Sequence, residues 1–217
     1  MTKKLTIDVI SDVMCPWCYI GKKNLDKAIA SMPDLDVEVS WRPYQLDPTL
    51  PKEGKDRQKY LNDKFGGQAE ADSRYDNIKK AGTNVGIEFD FKAMKVSPNT
   101  LDAHRVIRWA GGLGTDVQNK LVRRLFELFF LEGGHIGNDD VLVDAAIHAG
   151  MDGDLVRELL ASDRDKTEVQ QEIAQAQQMG VTGVPCFVID QKFAVMGAQP
   201  PEALTQAFQQ ALDDSDG

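Results

Sequence analysis

The sequence predicts an α/β fold in which two segments that contain strands bracket a long helical stretch. A β-α-β pattern lies within residues 1–50 and a β-β-α pattern within residues 176–217. Residues 51–175 carry helical patterns throughout. Because each flanking pattern is too small to form a stable sheet alone, we predict one sheet built from both ends of the chain. Residues 1–50 and 176–217 would then form one discontinuous domain, with residues 51–175 inserted as a helical domain.

The first segment begins with a strand and a helix. Alternating and β-branched apolar residues predict a strand over residues 5–10, LTIDVI. Pro16 is a favoured first helical residue, and helical periodicity continues through residues 24–29. Residues 37–41 alternate again and predict the second strand.

The composition of the middle stretch changes to helix-forming residues broken by glycine pairs. In the third of its helices, Ser97 is the expected N-cap and Pro98 the expected first helical residue. The predicted helices span residues 55–65, 68–84, 97–109, 116–131, 139–149, 155–161 and 165–179.

Strand character returns only near the end of the chain. Residues 186–189 and 193–196 flank a polar Asp-Gln-Lys turn and predict a hairpin. Pro200 and Pro201 then open a last amphipathic helix that runs to residue 212.

Composition and charge exclude several classes of function. The 217 residues are 42% hydrophobic and carry a net charge of −9, which argues against nucleic acid or an anionic membrane surface as a partner. No stretch approaches the roughly 18 apolar residues of a membrane span. Asp8 and Asp12 interrupt the first apolar run, and no small-residue cleavage site follows it. We therefore expect a cytoplasmic protein, whose three cysteines are catalytic or inert instead of forming a structural framework.

The most informative stretch is Cys15-Pro16-Trp17-Cys18, at the junction of the first strand and the first helix. Cysteines three positions apart lie on one helical turn, so one thiol can attack a substrate and the other can resolve the product. The helix N-terminus favours an anion and should lower the pKa of Cys15 below its free value of about 8.5. Cys18 should be buried and less ionised. Because Trp17 carries no charge, the couple should be less oxidising than one with histidine there.

A cysteine pair of this spacing also supplies half of many zinc sites. The remaining candidate ligands are Cys186, His104, His135 and His148, and no two of them have ligand spacing. The strand-to-helix setting with an intervening Pro-Trp therefore favours redox chemistry over a metal site.

Val184-Pro185 immediately precedes the third strand and is the second chemical signal. A proline cannot donate to a sheet ladder, so at the start of a strand it marks a turn or a cis bond. An ordinary trans proline is the commoner case. Together with the cysteine turn we predict a cis bond, which would leave the Val184 backbone free to pair with an extended substrate beside Cys15.

These segments resemble the DsbA-like thioredoxin-fold family. The similar stretches are CPWCYIGKK, GVTGVPCFVID with a following GAQP turn, and SPNTLDAHR. They look most like the cytoplasmic FrnE-type branch, which is related to 2-hydroxychromene-2-carboxylate isomerases and kappa-class glutathione transferases. The resemblance implies a thioredoxin fold with a helical insertion, in which Cys15 is the nucleophile, Cys18 the resolving thiol and Pro185 the cis proline.

Other residues carry weaker hypotheses. The helix predicted to begin at Ser97 borders the active site in this family, so Asn99 and His104 are candidates for the substrate cleft, with Trp17, Val184 and Pro185. Each is also explained by packing or solvation. Asp12 would either relay a proton to the cysteine pair or cap the following turn. Cys186 is either a small buried strand residue or a third redox sulfur.

We therefore expect a thiol–disulfide oxidoreductase of the protein disulfide reductase or isomerase type. Its partners would be client proteins that contain disulfides, or small thiols, with glutathione as reductant or mixed-disulfide partner and no resident cofactor. A glutathione-dependent transferase or isomerase acting on a small hydrophobic substrate remains an alternative. The resemblance implies that those sister enzymes carry serine at the position of Cys15. A metal-binding or interaction module is the third class.

Overall fold

The computed structural model describes residues 3–214 and joins both ends of the chain in one four-stranded sheet, as the sequence predicts. In chain order the elements are β1 (Lys3–Ser11), α1 (Pro16–Ala30), β2 (Leu35–Pro43), β3 (Lys55–Asp56), α2 (Arg57–Phe65), α3 (Gln68–Asn84), β4 (Val96–Ser97), α4 (Leu101–Leu113), α5 (Thr115–Phe130), α6 (Asp139–Ala149), α7 (Gly153–Leu160), α8 (Lys166–Gln178), β5 (Cys186–Ile189), β6 (Phe193–Met196) and α9 (Pro201–Asp213). The predicted α/β fold with helices between its two halves is confirmed. The domain boundaries at residues 50 and 176 stay a prediction, and the terminal residues of those ranges lie outside the described part.

The sheet has the order β2-β1-β5-β6, with β1 parallel to β2 and antiparallel to β5. The side chains of β1 alternate between the two faces of the sheet because successive residues point to opposite faces. Leu5, Ile7 and Val9 join the main core, whereas Ile10 packs in a smaller cluster with Cys186. The face of β1 that carries Leu5, Ile7 and Val9 is therefore buried, whereas on the other face Thr6 is exposed and Ile10 is buried.

The helix predicted to begin at Ser97 begins four residues later, and this part of the prediction is wrong. Val96 and Ser97 instead pair with Lys55 and Asp56 in a second, two-stranded sheet. Asn99 supplies the side-chain acceptor that was expected of Ser97, since its Oδ1 accepts from the Leu101 N–H at 2.9 Å. The helix predicted from residue 55 likewise begins after a short strand, with Asp56 as its N-cap.

An aromatic cluster of Tyr19, Phe89, Phe126 and Phe130 ties α1 to the inserted helices. The Tyr19 ring stacks on Phe126 with centroids 5.1 Å apart and on Phe130 at 6.1 Å. Phe89 meets Tyr19 edge-on at 6.1 Å. All four rings are buried, so the helix that follows the cysteine turn is fixed against α5 by apolar contact.

Two amide side chains of α5 close the outer edge of β2. Gln118 accepts from the Trp41 N–H at 2.9 Å and donates to the Trp41 carbonyl at 3.2 Å, as a neighbouring strand would. Asn119 accepts from the Trp41 indole N–H at 2.7 Å. These contacts satisfy polar groups that an exposed edge strand would offer to another chain. Within residues 3–214 no helix is both long and apolar enough to cross a membrane.

We predict that the buried Tyr19 hydroxyl lowers the free energy of unfolding at high pH, because it ionises more readily in the unfolded chain. Burial, followed by the charge of Glu127, raises the pKa of Tyr19 from 10.0 to about 12. Unfolding releases its proton at a lower pH, so this contribution to stability is complete below pH 10 and is lost as the pH rises to 12. In urea titrations the free energy of unfolding should fall about 2 kcal/mol less over this interval in Tyr19→Phe than in wild type. An equal fall in the free energy of unfolding of the two proteins would contradict the raised pKa of Tyr19.

Candidate active site

The cysteine turn lies where β1 passes into α1. Cys15 is the N-cap residue of α1 and Pro16 its first helical residue, as predicted. The Cys15 N–H donates to the Asp12 carbonyl at 2.9 Å, and the Cys15 carbonyl accepts from the Cys18 N–H at 3.1 Å. The turn is therefore fixed by backbone hydrogen bonds that do not depend on the thiols.

The Val184-Pro185 segment lies against Cys15. The Val184–Pro185 peptide bond is cis. The Cys15 thiol donates to the Val184 carbonyl, with 3.7 Å between Sγ and O. The two chemical signals found in the sequence are thus in direct contact, although 169 residues separate them.

Gly21 lets α1 approach this loop closely. A Cβ at Gly21 would lie 2.8 Å from Pro185 Cγ and 3.2 Å from Phe187 Cζ. A proline ring cannot move aside as a flexible side chain can, so only glycine fits between the helix and the loop. The glycine of the CPWCYIG stretch therefore sets the distance between the cysteines and Pro185.

The two thiols of the turn have different surroundings. Cys15 is 4% exposed, Cys18 is 1% exposed, and neither forms a disulfide. Burial, followed by the hydrogen bond and charge of Cys15, raises the pKa of Cys18 well above its ordinary value. The Ser11 hydroxyl and the Asp12 backbone oppose this rise. Cys18 is therefore a neutral thiol at neutral pH, as expected for the less ionised member of the pair.

Apolar side chains are exposed near the turn. Trp17, between the two cysteines, is 41% exposed. Leu46 is also exposed, and its N–H donates to Asp12 Oδ2 at 2.8 Å, which places it beside the segment leading to Cys15. Exposed apolar surface of this kind suits contact with an apolar partner.

Asp12 caps the turn that leads to Cys15, one of the two roles considered for it. Its carboxylate is completely buried and accepts from the Met14 N–H at 3.3 Å as well as from Leu46. His104 Nε2 lies 3.5 Å from the same carboxylate. The proton-relay role of Asp12 stays a hypothesis.

Asn99 and His104 do not lie in the same helix, because Asn99 precedes α4. The Asn99 amide bridges three segments: it donates to the Leu50 carbonyl at 2.6 Å and accepts from Gln45 at 3.0 Å and from Leu101. His104 is buried behind Asp12 and also lines a cavity of about 390 Å³ between β2 and α4. Their proposed contact with substrate stays a prediction.

Cys186 lies on the other face of the sheet from the cysteine turn. It is buried with Ile10, Tyr44 and Val181, whereas Cys15 and Cys18 belong to the main core. Burial raises the pKa of Cys186. These surroundings are those of a small buried strand residue, the first of the two interpretations above.

Two polar residues that contact each other inside the insertion were not found from the sequence. Arg57, at the start of α2, is only 4% exposed, and its Nη2 donates to the Tyr75 hydroxyl of α3 at 2.8 Å. Both lie in helices whose sequences are typical of solvent-exposed surfaces, and no local pattern marks either residue. Across the described chain, no three His, Cys, Asp or Glu side chains are grouped so as to hold a metal ion.

Comparison with known proteins agrees with this geometry over nearly the whole chain. A family model for the DSBA-like thioredoxin domain matches residues 6–209. The chain belongs to this family. The resemblance first suggested by the cysteine turn and the Val-Pro loop is thus confirmed.

Individual relatives and solved structures are similar to this chain over most of its length. The crystal structure of a probable DsbA oxidoreductase, SCO1869 from Streptomyces coelicolor, is 33% identical and superposes with a TM-score of 0.87 over 96% of this chain and 90% of that one. The uncharacterized protein YwbO of Bacillus subtilis (strain 168) is 27% identical over 209 residues, 96% of each chain. A 2-hydroxychromene-2-carboxylate isomerase shares the fold at 13% identity, with a TM-score of 0.71 over 97% of this chain and 98% of that one.

We predict that Gly21→Ala destabilises the protein despite the higher helix propensity of alanine. The added methyl group overlaps the Pro185 ring, and overpacking of this kind costs about 1–3 kcal/mol. Gly112→Ala, in α4, is the matched control because a Cβ there meets no atom within 4 Å. Its free energy of unfolding should stay level or rise by less than about 1 kcal/mol. Denaturant titrations of both variants test the expectation, which fails if they behave alike.

We predict that Asn99→Ala lowers the free energy of unfolding by about 2 kcal/mol, since it leaves buried backbone groups without partners. Asn77→Ala, at an exposed position of α3, should change it by less than about 0.5 kcal/mol. The rate of Cys15 alkylation should be the same in both variants if Asn99 acts only through structure. A slower rate in Asn99→Ala alone would instead support the substrate-cleft role.

Proposed function

We propose that this protein is a thiol–disulfide oxidoreductase that uses Cys15 as the nucleophile and Cys18 as the resolving thiol. The contact between Cys15 Sγ and the Val184 carbonyl is the observation that carries the proposal. It means that a substrate bound along the Val184-Pro185 loop would present its sulfur to Cys15. The 33% identity with a probable DsbA oxidoreductase supports the same reaction class.

The reaction consists of two exchanges. The Cys15 thiolate attacks one sulfur of a client disulfide, forming a mixed disulfide and releasing the other client sulfur as a thiolate. Cys18 then loses its proton and attacks Cys15 Sγ, which forms the Cys15–Cys18 disulfide and releases the second client thiolate. The client gains two electrons and two protons, and the enzyme dithiol loses them. Two molecules of a small thiol such as glutathione then regenerate the dithiol by the reverse exchanges and leave as their own disulfide.

The surroundings of the cysteines favour reduction or isomerisation over net oxidation. The raised pKa of Cys18 keeps it protonated until a mixed disulfide has formed. Trp17 contributes no positive charge to stabilise the reduced form. In a cytoplasmic setting, where thiols are kept reduced, the pair would rest as a dithiol. Trp17, Val184 and Pro185 would contact the client, with exposed Trp17 offering an apolar surface.

A glutathione-dependent isomerase or transferase is the second candidate, because the fold is shared with a 2-hydroxychromene-2-carboxylate isomerase. That activity would need one thiol-binding group and not a dithiol. It predicts that conjugation or isomerisation with glutathione survives in Cys18→Ser. Loss of Cys18 therefore separates the two candidates.

The decisive experiment traps the intermediate. Cys18→Ser should accumulate mixed disulfides with a model client or with glutathione, whereas Cys15→Ser should form none and should reduce insulin no faster than the uncatalysed reaction. Cys186→Ser is the matched control, because that thiol lies on the opposite sheet face and its loss should leave turnover intact. Non-reducing gels, mass spectrometry and insulin turbidity are the readouts. Wild-type activity in both Cys15→Ser and Cys18→Ser would refute the proposal.

A further inference from the structure

Asn24 is a buried amide on the side of α1 that also carries Cys18 and Gly21. The three residues follow one another at intervals of three, a spacing that aligns side chains along one side of a helix. Asn24 is only 5% exposed, and its Nδ2 donates to the Gln199 carbonyl at 2.9 Å. This side of α1 therefore meets Pro185, which precedes the β5-β6 hairpin, and Gln199, which follows it.

The stability of α1 does not explain an asparagine at this position. Asparagine is a poor helix former in a helix interior. Its Oδ1 is buried and has no hydrogen-bond partner in the part of the chain that the structure describes. A leucine would fill a similar space without leaving a buried acceptor unpaired. Because Gln199 offers a carbonyl, only the NH2 group of Asn24 can face it, so this donor is the part of the side chain that the fold uses.

The hydrogen bond is not needed to dock α9, the helix that follows Gln199, on α1. Pro201 begins α9, and its Leu204 and Phe208 side chains are completely buried in the main core. Burial of two large apolar side chains holds a helix more strongly than one hydrogen bond does. What Asn24 fixes is the loop between β6 and α9.

Short hydrogen bonds connect Gln199 to the Val184-Pro185 loop. The Gln199 N–H donates to the Gly197 carbonyl at 2.9 Å, and the Gly197 N–H donates to the Pro185 carbonyl at 2.8 Å. The Gln199 side chain donates to the Met196 carbonyl at 2.9 Å as well. The chain after β6 is therefore a tight turn, through which α1 holds the Val184-Pro185 loop.

Gly21 and Asn24 restrain this loop in two ways. Gly21 sets how closely the Pro185 ring can approach α1, and Asn24 keeps the turn after β6 from moving away. The Cys15 sulfur lies 3.7 Å from the Val184 carbonyl, so a displacement of the loop changes the distance between the sulfur and a chain bound along it. A small reagent can reach the sulfur without lying on the loop, whereas an extended polypeptide that pairs with the loop depends on its position.

We propose that Asn24 is a positioning residue that adapts the site to extended polypeptide substrates in preference to small molecules. This inference rests on the proposed function, since it names the substrate class of that same site. By holding the Gln199 carbonyl, Asn24 keeps the Val184-Pro185 loop at the distance from Cys15 at which the reacting atom of an extended chain meets the sulfur. Asn24 acts through the loop and is not a catalytic residue.

The test compares two reagents that alkylate Cys15: iodoacetamide, and a short unstructured peptide that carries an iodoacetyl group at its N-terminus. Mass spectrometry reads the rates, and each is divided by the rate of the same reagent with free cysteine. On this scale the peptide should react faster than iodoacetamide with wild type, because it can pair with the loop. In Asn24→Leu the peptide rate should fall about fivefold, the effect of one lost hydrogen bond, while the iodoacetamide rate stays within about twofold of wild type.

Asn119→Leu is the matched control. It is the same substitution and also removes amide hydrogen bonds, those to the Trp41 indole and the Thr115 carbonyl. Asn119 contacts β2, however, and β2 and β6 are opposite edges of the sheet. The ratio of the two rates in this variant should equal that of wild type.

The outcomes separate this inference from the proposed function, because alkylation requires no disulfide exchange. A lower ratio of peptide to iodoacetamide rates in Asn24→Leu would support the inference, even in a protein that reduces no disulfide and so refutes the oxidoreductase. An unchanged ratio in folded Asn24→Leu would refute the inference even if the oxidoreductase is confirmed. Equal losses with both reagents, which a purely structural role would produce, and a wild type that does not favour the peptide are refuting results too. If Asn24→Leu does not fold, Asn24→Ala decides the matter, because it removes the donor without adding volume.

Discussion

The antiparallel pairing of β1 with β5 is the contact on which the rest of the site depends. It sets Ile10 opposite Cys186, and each strand then leads directly to one half of the site: β1 runs into the cysteine turn, and β5 follows Pro185. Loop-closure entropy grows only slowly with length, so a long insertion between these strands is tolerated. The cost is offset by packing along the whole insertion, above all where Tyr19 of α1 stacks on Phe126 and Phe130 of α5.

Most elements of the fold could be predicted because their signals are local. The alternation in β1, the proline at the start of α1 and the hairpin of β5 and β6 each depend on neighbouring residues. The predicted start of α4 was wrong because a tertiary contact decides it, and not the local pattern at Ser97. Ser97 precedes a proline, as an N-cap often does, but its backbone pairs with Lys55 and the capping oxygen comes from Asn99. That choice is made by a strand some forty residues away, which local patterns do not reveal.

The site divides in the same way between local and tertiary signals. The cysteine turn and the Val184-Pro185 loop are visible in the sequence because their residue types are unusual in those positions. The close approach of Gly21 to Pro185 becomes evident only once the strands are paired. Arg57 and Tyr75 carry no signal at all, since an arginine and a tyrosine in polar helices are usually exposed. Their burial follows from the packing of α2 and α3 over the main core, which is a property of the assembled chain.

The difference between local and tertiary contacts determines which changes alter the reactivity of the site and which alter its geometry. Each residue of the cysteine turn affects both structure and chemistry: Pro16 begins the helix, Trp17 presents an apolar surface, and both cysteines are the proposed reacting groups. A change there alters geometry and electrostatics together. By contrast, the pairing of β1 with β5 and the close approach of Gly21 to Pro185 fix the distance between the turn and the Val184-Pro185 loop without involving the thiols.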